Sequence, residues 1–245
     1  MINDALAAQL ALELAQQYDF PQLFASFSWA GERMPAAWTT RLNLALARQQ
    51  LTDVDYAQEV HRWGFRNRPI NRAVLGDPRW PEGISSLLQC WASTADPLTT
   101  LPAQHALFDV LSIPRLGVAT TSKWICFLDQ SRFAIYDSRV AYALRRLLVD
   151  NQRVFPFVGG RTTPANRQTR VTADGALQTP EIAVTAYLNF VKVARATARV
   201  LSSRPDCVGW TPAHVDCCLF VAGESRLRDA ASCRPLNHEI NVSFV

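Results

Sequence analysis

Apolar side chains recur at three- and four-residue intervals over most of this chain, which is the spacing of one face of an α-helix. In residues 3–18 they are Leu6, Ala7, Leu10 and Leu14. Similar patterns predict helices over about 36–50, 52–64, 81–93, 102–111 and 118–128. Another is predicted from Ser138 to Asp150, with Val140, Leu144, Leu147 and Leu148 on one stripe. Thr179-Pro180-Glu181 supplies a cap, a first-position proline and a first-turn acid, and predicts a helix to about Ser202. Thr211-Pro212 opens one more, to about Ala222. Other stretches break the period. Phe20 to Pro35 is aromatic and irregular, and 63–81 is rich in Arg, Asn and Pro. Residues 150–178 carry Gly159-Gly160, Arg161, Arg167 and Arg170 without periodicity, and the tail from Glu224 is irregular until a short strand in its final VSFV. The pattern predicts an all-α fold of some ten helices, with no internal repeat.

The stretch from Phe108 to Leu144 holds the candidate chemistry. It reads as a helix, a tight hairpin (Ile113-Pro114-Arg115-Leu116-Gly117), a second helix over 118–128, and a connector that ends in Tyr136-Asp137 before Ser138. The N-terminus of the second helix presents free backbone N–H groups and the positive end of its dipole, which suit a phosphate. Gly117 is expected to turn at positive φ and to let a phosphate backbone come close. Asp137 has two readings. It is a helix cap for Ser138, or a carboxylate that stabilises positive charge on a sugar and orients a water. Standing alone the cap is favoured; the hairpin upstream favours the second.

Composition narrows the partner. Apolar residues make up 49% and charged residues 19%, an ordinary globular balance. No apolar run reaches bilayer length and no signal peptide opens the chain, so a cytoplasmic protein without a membrane partner is expected. The net charge of +4 comes from 23 Arg against only 2 Lys. Arginine forks suit phosphates, although an arginine-rich source composition explains the bias equally well. Arg66, Arg68 and Arg72 with Trp63 and Phe65 have the texture of a nucleic-acid surface. The cysteines (Cys90, Cys126, Cys207, Cys217, Cys218, Cys233) form no Cys-x-x-Cys pair and no zinc spacing, and read as buried thiols of a reducing compartment.

The hairpin, the following helix and Asp137 resemble the helix-hairpin-helix core of the DNA base-excision glycosylases. In that superfamily a Leu-Pro-Gly-aliphatic-Gly hairpin precedes a helix and then a buried aspartate. Pro114, Gly117 and Asp137 fall on the pattern, while Arg115 stands where the first glycine is usual. The core match covers about 37 of 245 residues. The resemblance implies one glycosylase-like unit over 1–245, with its core at about 101–149 and helical lobes at 1–100 and 150–245 flanking a cleft. It implies double-stranded DNA with modified bases as partner, no obligate protein partner, and Arg115, Gly117, Val118 and Arg139 on the DNA backbone. Some relatives carry a four-cysteine iron–sulfur loop; Cys207, Cys217, Cys218 and Cys233 do not match its spacing. No cofactor is therefore expected, beyond a monovalent cation at the hairpin.

Glycosylases of this kind use the aspartate and water alone, or add a lysine amine that attacks the sugar carbon. The usual lysine position is Ala119 here, which argues for the water route; Lys123 lies one turn further on. An archaeal branch that removes 8-oxoguanine is similar in two pairs, Lys123 with Phe127 and Asp216 with Phe220. It implies that Asp216 holds Lys123 in a buried ion pair. Phe27 and Trp29 are candidate stacking partners for an extruded base. The Tyr136-Asp137-Ser138-Arg139-Val140 run, with Ser122-Lys123, resembles bacterial anti-phage glycosylases that release glucosylated hydroxymethylcytosine and leave abasic sites. That substrate is the expectation. An oxidised-base repair glycosylase/lyase, or a helix-hairpin-helix DNA binder without catalysis, are the alternatives.

Overall fold

The computed structural model describes residues 1–28, 36–145, 147–150, 152–155, 179–231 and 240–242. Eleven α-helices dominate these residues: α1 (Asp4–Gln17), α2 (Phe20–Ser26), α3 (Ala36–Ala47), α4 (Asp53–Gly64), α5 (Arg72–Leu75), α6 (Trp80–Ser93), α7 (Leu101–Leu111), α8 (Val118–Leu128), α9 (Ser138–Leu144), α10 (Pro180–Ser202) and α11 (Pro212–Ala231). The all-α expectation therefore holds, and α8 has the predicted limits.

Local chemistry explains the starts. The side chain of Asn3 accepts the Leu6 N–H at the head of α1. Thr52 and Asp55 form a reciprocal capping box on α4, and Thr179 caps α10 ahead of Pro180.

Four expectations need correction. The aromatic stretch after Phe20 is not irregular throughout: Asp19 caps α2, with Pro21 in its first turn. The stretch 63–81 contains α5, capped by Asn71. Helix α11 runs to Ala231, past the predicted end near Ala222. Helix α9 stops at Leu144, well short of Asp150, and Leu147–Val149 is strand β1. Leu147, Leu148 and Val149 are all buried, because neighbouring strands pair with both edges of this segment. Strand β1 pairs antiparallel with β2 (Gln152–Arg153) and parallel with β3 (Ile240–Val242), giving the order β2-β1-β3. Strand β3 meets the predicted VSFV strand at Val242, and residues 243–245 lie outside the described residues.

The helices share one core, whose largest fully buried side chains include Trp80, Trp91, Trp124, Tyr136, Tyr187 and Phe190. Cross-helix hydrogen bonds fix its register. Trp124 donates through Nε1 to the Ala57 carbonyl (2.9 Å), and the Tyr56 hydroxyl donates to the Trp124 carbonyl (3.3 Å), tying α4 to α8. Helix α11 packs closely on α9: a Cβ at Gly223 would lie 2.0 Å from the Arg139 carbonyl oxygen. Cys126, Cys207, Cys217 and Cys218 are buried free thiols.

Candidate active site

Helices α7 and α8 are joined by the hairpin, which closes with a hydrogen bond from Leu116 N–H to the Ile113 carbonyl (3.1 Å). Its backbone differs from the expectation. Gly117 is extended (φ −127°, ψ 160°), and a Cβ there would meet nothing within 4 Å. The left-handed residue is Arg115, at φ 68°. The turn thus places its positive φ where resembling hairpins carry glycine, and an arginine bears it at a cost of about 1 kcal/mol. The first helical bonds of α8 run from Thr120 and Thr121 N–H to the Gly117 carbonyl. The N–H groups just before them are left for another acceptor, as at any helix start. Arg115 and Gly117 are exposed, whereas the Val118 side chain is buried, so Val118 can offer only its backbone.

The connector after α8 is held from three sides. The Ser122 hydroxyl accepts the Tyr136 N–H (3.1 Å), the Tyr187 hydroxyl donates to the Ala134 carbonyl (3.3 Å), and Asp216 Oδ2 accepts the Ile135 N–H (2.6 Å). This clamp fixes Asp137, which is 8% exposed. Its Oδ1 caps α9, accepting from Arg139 N–H (2.9 Å) and Val140 N–H (3.1 Å). Its Oδ2 makes no hydrogen bond among the described residues and faces Arg139 Nη1 at 4.0 Å. The cap and the sugar-facing reading are therefore compatible, because they use different oxygens.

Lys123 and Asp216 are buried beside this carboxylate, 6% and 5% exposed. The expected Lys123–Asp216 ion pair does not form: among the described residues Lys123 has no carboxylate within ion-pair distance. Its amine donates back to the Ala119 carbonyl (2.9 Å), one turn towards the start of α8. Burial lowers the proton affinity of Lys123 below that of an ordinary lysine, against the opposing pull of Asp137 and Asp216. Burial likewise pushes the Asp216 carboxyl well above the usual carboxylate range. Asp216 turns its Oδ2 to the Ile135 N–H instead, and desolvation of both groups opposes the charged forms that an ion pair needs.

Aromatic side chains flank the site. Phe127 is fully buried, edge-on to Trp63 (4.6 Å) and Trp38 (5.4 Å). Phe27 meets Phe220 edge-to-face at 5.9 Å, and the Arg139 guanidinium lies over the Phe220 ring at 4.6 Å, with Glu224 at 4.0 Å. The fold thus brings Lys123, Asp137 and Asp216 together, with Phe27, Phe220 and Arg139 in one group and Phe127 in another. Trp29, Cys233 and the glycines and arginines of 159–170 lie outside the described residues. Sequence reasoning missed Gly64 and Trp38, and treated Phe65 only as part of a surface. Gly64 and Phe65 close over Lys123, and no periodicity announces such an approach.

A family model described as "Putative 8-oxoguanine DNA glycosylase OGG-like protein" matches residues 25–220. The chain belongs to that family. Comparison with curated proteins and with solved structures finds no match. The matched span of this DNA glycosylase family contains the hairpin, Lys123, Asp137 and Asp216, and the family makes DNA the partner. Among the described residues no helix is long and apolar enough to cross a membrane.

Proposed function

We propose that this glycosylase excises an oxidised purine, with Lys123 as nucleophile and Asp137 as the carboxylate that stabilises the sugar. The observation that carries the reading is the position and state of the Lys123 amine. Helical side chains point back towards the N-terminus, and this one reaches the level of Ala119, where the resembling lyases keep their lysine. There it is buried, forms no ion pair among the described residues, and has its proton affinity lowered by desolvation, the direction that favours a nucleophilic amine. This favours the lysine route over the water-only route expected from the sequence.

In the proposed step the Nζ lone pair forms a bond to C1′ as the C1′–N glycosidic bond breaks. The departing base takes the bond pair and a proton. The C1′–O4′ bond then breaks, O4′ takes its bond pair and the remaining proton of the nitrogen to become a hydroxyl, and the nitrogen lone pair completes a C1′=N imine to Lys123. Asp137 Oδ2 stabilises the positive charge that develops on the sugar. The exposed hairpin, with the free N–H groups at the head of α8 and Arg115, would grip a phosphate. The family description supports an oxidised guanine as the base released.

The test incubates the protein with three duplexes: unmodified, 8-oxoguanine-containing, and phage DNA bearing glucosylated hydroxymethylcytosine. Borohydride is then used to trap any imine. An adduct on the 8-oxoguanine duplex that disappears in Lys123→Gln is expected. Release confined to glucosylated DNA would move the substrate to anti-phage defence. Base release without an adduct would return the chemistry to water and Asp137, and no release from any duplex would leave a DNA-binding protein.

A further inference from the structure

The last turn of α4 is wrapped around the Lys123 side chain. A Cβ at Gly64 would lie 2.5 Å from Lys123 Cδ and 2.8 Å from Cε, so only glycine lets the aliphatic stem lie where it does. The next residue, Phe65, has its ring centroid 5.0 Å from the Lys123 amine. One turn earlier His61 stacks on Phe65, with centroids 4.3 Å apart and planes at 27°. Directly after Phe65 the chain takes two left-handed residues in succession, Arg66 (φ 52°) and Asn67 (φ 62°). Asn67 N–H donates to the Arg62 carbonyl and Arg68 N–H to the Phe65 carbonyl, which closes this turn. A left-handed arginine is uncommon and costs free energy, and here it ends α4 with the Phe65 ring over α8.

We propose that this turn is a cover for the nucleophile: Gly64 sets where the Lys123 stem lies, and Phe65, held by His61, keeps water from the resting amine. The inference rests on Lys123 being the nucleophile, and makes Gly64 and Phe65 positioning residues for it. The groups that face the amine electrostatically are Asp137 and Arg139 from the start of α9, Asp216 from α11, Cys126 on α8 itself and His61 from α4. Burial and Lys123 together lower His61 to about 4, so it adds no second cation at neutral pH. With the charges around it unchanged, access of water is what Phe65 controls.

The chain holds two lysines, so competitive acetylation read by peptide mass spectrometry follows Lys123 with Lys192 as internal reference. The pH midpoint of labelling reports proton affinity whatever the absolute rate, and needs no DNA. Phe65→Ala opens the cover; Phe65→Leu keeps an apolar one. The midpoint of Lys123 is expected below that of an ordinary lysine in the wild type and in Phe65→Leu. In Phe65→Ala it is expected to rise by about one pH unit or more. An unmoved midpoint in Phe65→Ala, or an equal rise in Phe65→Leu, overturns the cover. Phe65 is half-exposed, so neither change opens the core. Midpoints that behave as expected in a protein that forms no adduct with any DNA would sink the glycosylase chemistry while leaving the cover standing.

Discussion

Gly64→Ala separates the position of the Lys123 amine from the stability of the fold. The new methyl would start 2.5 Å from Lys123 Cδ, and ordinary contact begins at 3.4 Å, so the stem must retreat by roughly 0.9 Å. What moves is the far end of a flexible side chain, so backbone and neighbouring helices need not shift. Lost packing on that stem costs on the order of 1 kcal/mol. Removing a helical glycine returns up to about 1 kcal/mol, less at this last residue of α4. Urea denaturation should therefore give a stability within about 1 kcal/mol of the wild type. The amine is then displaced by close to an ångström, a misplacement that costs about a hundredfold in rate, or about 2.7 kcal/mol of barrier. Single-turnover trapping on the best of the three duplexes measures it. A variant that keeps the wild-type trapping rate would refute the reasoning, as would one that loses rate only because it unfolds.

Gly223→Ala should behave oppositely, since its methyl meets the Arg139 backbone carbonyl at 2.0 Å and must prise α11 from α9; a loss of about 3 kcal/mol in urea is expected. Asp137→Asn should keep the cap, because Asn caps as well as Asp; thermal stability should barely change while base release falls by orders of magnitude. Gly117→Ala should leave stability unaltered, because its backbone is extended and its Cβ space is empty. Filter binding across a salt series should show Arg115→Gly losing about one unit of salt slope, as expected for one lost phosphate contact. His61 is a base whose proton affinity is lowered on folding, so its contribution is complete above pH 6.5 and is lost as the pH falls towards 4. Denaturation at pH 4.5 and at pH 7 should differ less in His61→Gln than in the wild type.

The sequence by itself determined the helical class, most helix starts and the position of the hairpin. These are local properties: apolar spacing, caps such as Thr52, Asp137 and Thr179, and prolines in first turns act within a few residues. It failed where burial overrode period. Leu147 and Leu148 fit a helical stripe with Leu144, yet with Val149 they form a strand, because β3, some ninety residues later in the chain, supplies the pairing edge. It also misplaced the left-handed residue of the hairpin: glycine at 117 permits positive φ without requiring it, and the closed turn assigned it to Arg115. The residue types of the site were readable, but not their electrostatics. The resemblance to the archaeal branch implied an ion pair between Asp216 and Lys123. Only the packing of α4, α8 and α11 shows that desolvation acts on both groups while Asp216 turns to the Ile135 N–H. Gly64 and Phe65 were least visible, because a close approach between α4 and α8 exists only once the Tyr56, Ala57 and Trp124 contacts have set how the two helices cross.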